Sequence, residues 1–144
     1  MSNISALEEQ IKKSAKTEEY MSDVQLELFR KLLEETYRIT LSQINEAQKE
    51  INKPASEADA IDNASIESEM ALKVKIVERQ NKLLFKINES ISMIDNKTYG
   101  YCVETGEPIG IARLILRPTA TLSVDAKSIK EESEKDYGPE ETSD

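Results

Sequence analysis

Two runs of apolar residues, each advancing by three or four positions and separated by a stretch that contains Pro54, constrain this chain more than any other feature. The first runs Leu26, Phe29, Leu33, Tyr37, Thr40, Ile44, Ala47, Ile51. The second runs Ile66, Met70, Lys73, Val77, Gln80, Leu84, Ile87, Ile91, Ile94. Such spacing holds side chains on one stripe of an α-helix and forms the seam of a coiled coil. The runs cover 25 and 28 residue steps, about 40 Å each at the helical rise, and matched lengths suit one antiparallel hairpin. Pro54 cannot continue a helix interior, so the chain turns between Asn52 and Ala64. Ser56 followed by Asp59 fits a capping pattern, and Asp59 and Asp62 stand where the second helix begins. Capping and dipole complementation account for both acids by themselves. Lys73 and Gln80 are polar within the second seam, and periodicity assigns them no partner.

The expected fold class is all-α, a long antiparallel coiled-coil hairpin with a small module and a C-terminal helix. Residues 1–21 are expected to form an N-terminal helix on the module, with Ile4, Leu7, Ile11 and Ala15 as its apolar face. The hairpin spans 22–96, with its tip near 54–65. Three glycines and two prolines, Gly100, Gly106, Gly110, Pro108 and Pro118, make 97–122 a compact irregular module. Its apolar candidates are Tyr99, Tyr101, Val103, Ile109, Ile111, Leu114, Leu116, Leu122 and Val124. A helix over 123–137, with Ile129 as an apolar contact, ends before Gly138 and Pro139, and 138–144 is expected to be a disordered acidic tail.

The chemistry available is narrow. There is no histidine, Cys102 is the only cysteine, and no Gly-rich phosphate loop is present, so an activity of its own in hydrolysis, nucleotide chemistry or redox lacks its parts. The net charge of -9 opposes phosphate backbones, so direct nucleic-acid binding is not expected. Seven acids against Lys135 alone, from Glu131 to Asp144, supply -6 of that charge. No apolar run approaches the ~20 residues that span a bilayer, and the N-terminus does not read as a signal peptide, so a cytoplasmic protein is expected. The single cysteine rules out an intrachain disulfide.

Read together, the tip DAIDNA from Asp59 and the segment YGYCVETGEPIGIARLILRPTATLSVDAK from Tyr99 resemble the DksA/TraR family of RNA polymerase secondary-channel regulators. The resemblance runs from the hairpin to about Lys135, and GYC, PIG, RPTA and the D-x-x-D-x-A tip are its specific parts. It implies a non-enzymatic regulator that inserts its tip into the secondary channel of bacterial RNA polymerase and modulates promoter open complexes. The tip residues are then Asp59, Asp62 and Ala64. A second set, Leu83, Lys86, Arg117 and Lys127 with Arg79 nearby, corresponds to the family's site for ppGpp, shared with the β′ subunit. Cationic side chains are suited to phosphates, although exposed Lys and Arg on a helix are also ordinary.

The family's zinc positions fall on Cys102, Thr105, Ser123 and Ala126, with the spacing kept and three cysteines lost. One thiolate, two hydroxyls and a methyl cannot replace four N or S ligands, so no metal is expected, and the resemblance is to the zinc-free members. Apolar packing must then replace the metal. The expected partners are RNA polymerase and ppGpp, with no membrane contact, and a hairpin that satisfies its own seam suits a monomer. Two other functions fit the acidic-tipped hairpin: a transcript-cleavage factor that lends its acids to the polymerase Mg²⁺ site, and a structural or chaperone-like coiled coil.

Overall fold

The computed structural model describes residues 2–53 and 63–137. Five helices follow one another: α1 Ser2–Thr17, α2 Asp23–Asn52, α3 Asn63–Asp95, α4 Ile111–Leu116 and α5 Val124–Tyr137. The fold is all-α, and an isolated bridge between Tyr101 and Pro108 is the β-type pairing among the described residues. The turn residues Pro54, Ser56, Asp59 and Asp62, and the tail 138–144, lie outside the described residues.

The chain divides into two units, residues 36–86 and residues 1–35 with 87–144. In the first, α2 and α3 run antiparallel. Moving seven residues along α2, from Gln43 to Glu50, moves the cross-helix partner back seven along α3, from Gln80 to Lys73. Among the described residues of this unit the buried apolar ones are Ile44 and Val77, joined by buried Thr40 and by half-buried Tyr37, Ala47, Met70 and Leu84.

The second unit holds most of the core. Phe29, Leu32, Leu33, Ile87 and Leu114 are 0–2% exposed, each stabilising by about 1.5–3 kcal/mol through burial. α1 packs on α4. Its buried positions are Ile11 and Ser14, not Ala15, which is exposed. Ser14 tolerates burial because its hydroxyl donates to the Ile11 carbonyl at 2.6 Å.

The junction of α1 and α2 is closely fitted to the module. Ser22 Oγ accepts from the Gln25 N–H at 3.2 Å, and Gln25 Oε1 accepts from the Met21 N–H at 2.6 Å. The pair forms a capping box whose return bond falls one residue early. Met21 has φ 55, a left-handed conformation that costs about 1–2 kcal/mol for a side chain of this kind. Its side chain lies against Gly100, itself at φ 92, where an added Cβ would stand 2.7 Å from Met21 Cγ. The Tyr20 hydroxyl donates to the Gly100 carbonyl at 2.6 Å and accepts from the Gly110 N–H at 2.9 Å. Tyr20 also meets Tyr101 edge-on at 5.6 Å, and Tyr99, 1% exposed, packs on Phe29 and donates to the Pro118 carbonyl at 2.6 Å.

The module differs from its expected form in two respects. It contains a helix, α4, too short for its period to stand out in the sequence. Val103, Leu116 and Val124 are 60%, 83% and 60% exposed, and Ile129 on α5 is 67% exposed. Leu114 and Ile115 take the buried side of α4, leaving Leu116 outward. Cys102 occupies the inner position beside Val103, and on α5 the buried position falls to Ala126.

Gly100→Ala should lower stability by about 2–4 kcal/mol, since both left-handed strain and overpacking against Met21 apply. A urea unfolding curve whose midpoint matches that of the parent would show that the Gly100 contact is not tight.

Candidate functional site

The expected site residues fall on three parts of the chain. Of the tip set, Ala64 lies exposed in the first turn of α3, whereas Asp59 and Asp62 lie outside the described residues. Arg79, Leu83 and Lys86 lie at i, i+4 and i+7 on α3, a spacing that puts them on one helix face. Arg79 is exposed, and Leu83 and Lys86 are half-buried. Arg117 and Lys127 belong to the other unit. Arg117 caps the end of α4, its exposed side chain following a backbone N–H that donates to the Arg113 carbonyl at 2.8 Å. Lys127 is half-buried in α5.

The face of α3 bearing Arg79 and Lys86 is more cationic than motif matching reveals. Lys75 and Lys82 join them at steps of four, three and four, so four cations share one stripe of an otherwise acidic chain. Leu72 and Ile76, 60% and 44% exposed, lie beside them. The three-four period of the charges was the signal that could have found Lys75 and Lys82, because a stripe of charge obeys the same geometry as a stripe of apolar residues.

In the module the four residues at the zinc spacing have separate local tasks. Ser123 caps α5: its Oγ accepts from the Ala126 N–H at 3.2 Å, and its carbonyl accepts from the Lys127 N–H at 2.9 Å. Thr105 Oγ1 accepts from the Glu107 N–H at 3.3 Å. Ala126 is buried. Cys102 is 2% exposed, and burial pushes its thiol up. Hydrogen bonds from the Thr105 side chain and from the backbone of Ser123, Thr105 and Glu104 outweigh that and bring it down to about 6. Donors aimed at a sulfur favour the thiolate.

Residues 25–94 match the DnaK suppressor protein DksA, N-terminal domain, and residues 97–132 match the prokaryotic dksA/traR C4-type zinc finger. The chain is 43% identical over 122 residues to the RNA polymerase-binding transcription factor DksA of Caulobacter vibrioides (strain NA1000 / CB15N), covering 82% of this chain and 84% of that protein. It is 37% identical to the factor of the same name from Escherichia coli (strain K12), covering 82% and 79%. The solved structure of transcription factor DksA2 from Pseudomonas aeruginosa is similar, with a TM-score of 0.71 and 39% identity over 81% of this chain and 90% of that one. The chain belongs to the DksA family.

The four-cysteine zinc finger that gives the DksA-family module its description does not fit the donors present here. No group of three or more His, Cys, Asp or Glu among the described residues could hold a metal ion. Around Cys102 the remaining positions offer a hydroxyl that already accepts a backbone bond, a helix cap and a methyl. Cys102 is the one cysteine at these positions, where a four-cysteine site would need three further thiolates.

A thiolate held below its unfolded range makes stability rise with pH. The unfolded thiol takes up its proton near pH 9, and the folded one only near pH 6. The stabilisation is therefore complete above about pH 9 and is lost as pH falls through about 6. Stability of the parent minus that of Cys102→Ser should climb across this window. A difference that stays flat from pH 6 to 9 in denaturant titrations would refute the depressed thiol.

Proposed function

We propose that this protein is a transcription regulator that binds bacterial RNA polymerase and inserts its hairpin tip into the secondary channel. The observation that carries this reading is the similarity, across the hairpin and the module together, to relatives named RNA polymerase-binding transcription factors. The chain covers at least 79% of those relatives, so both parts have their counterparts in the full-length proteins. A helical hairpin suits the task, since α2 and α3 carry 30 and 33 residues.

Asp59 and Asp62 would be the working acids and Ala64 the small residue beside them. Near a polymerase active site, carboxylates perturb metal and nucleic-acid contacts by charge, with no bond made or broken by the factor itself. Arg79, Leu83 and Lys86 from α3, with Arg117 and Lys127, would form this chain's share of a ppGpp site completed by the β′ subunit. Guanidinium and ammonium groups are suited to its phosphates, and Leu83 to an apolar edge. The factor acts in the cytoplasm, where the polymerase is, and does so without zinc. No described helix is long and apolar enough to cross a membrane.

The function is tested in transcription from a ribosomal RNA promoter with purified components. The factor with ppGpp should change initiation. Asp59→Asn with Asp62→Asn should keep polymerase binding and abolish the effect. Unchanged initiation despite measured binding sinks the proposal, and stimulated cleavage of nascent RNA in backtracked complexes would replace it with the cleavage-factor role.

Elemental analysis tests the metal-free module independently. Purified protein should carry much less than one zinc per chain, and stoichiometric zinc that survives dialysis against chelator would contradict this.

A further inference from the structure

We draw no further inference here: the strongest candidate, the outward surface patch of α3 where Lys75 and Lys82 stand in line with Arg79 and Lys86 beside exposed Leu72 and Ile76, belongs to the site already described, and nothing in the structure shows what else covers it.

Discussion

The seating of Met21 over Gly100 is the constraint around which the module is arranged. Both residues are in left-handed conformations, and the space for a Cβ at Gly100 is filled by the Met21 side chain. Tyr20, next in the chain, ties Gly100 to Gly110 through one hydroxyl that both donates and accepts. Burial pushes that hydroxyl's pKa up, so it keeps the proton it donates. Gln25 and Ser22 hold the other side of Met21 by starting α2 at that point. Strain at Met21 is thus offset by a capping box, a two-way hydroxyl and the aromatic contacts behind them.

These contacts do what a structural metal does in small domains that cannot build a core. A zinc site would tie the loop near Cys102 to the start of α5 by coordinate bonds. Here Val103 donates its N–H to the Thr121 carbonyl at 2.9 Å, and Ser123 caps α5 while its backbone serves the Cys102 sulfur. The same two chain segments are joined by many weak bonds. Closure is shared with the rest of the core, where Tyr99 packs on Phe29.

How much of this could be read from the chain follows from the range of each interaction. The apolar seams were legible because burial on a helix imposes its period, and Phe29, Leu33, Ile44, Val77 and Ile87 are buried where that period puts them. Ligand loss at Thr105, Ser123 and Ala126 was legible because coordination depends on atom type. The partners of Lys73 and Gln80 were not, since they depend on register between helices that the period leaves free. Val103, Leu116 and Val124 were read as core from hydropathy alone, in a module with no long period to say which side faces inward. The Met21–Gly100 contact links residues remote in sequence through backbone conformation, which residue identity hardly encodes.

The buried apolar side chains among the described residues are divided unequally between the units. In the module unit, Phe29, Leu32, Leu33, Ile87, Leu114 and Tyr99 make one arrangement far better packed than its neighbours, so shape alone selects the fold. In the hairpin unit the buried apolar side chains among the described residues are Ile44 and Val77, with Thr40 also buried, so packing there is thinner. Gln43 with Gln80 and Glu50 with Lys73 add exposed directional bonds between the two helices there. Thin packing also leaves Leu72, Ile76 and Phe85 outward on α3 together with the cationic stripe. A hairpin surface of that composition can engage a partner without first opening a core.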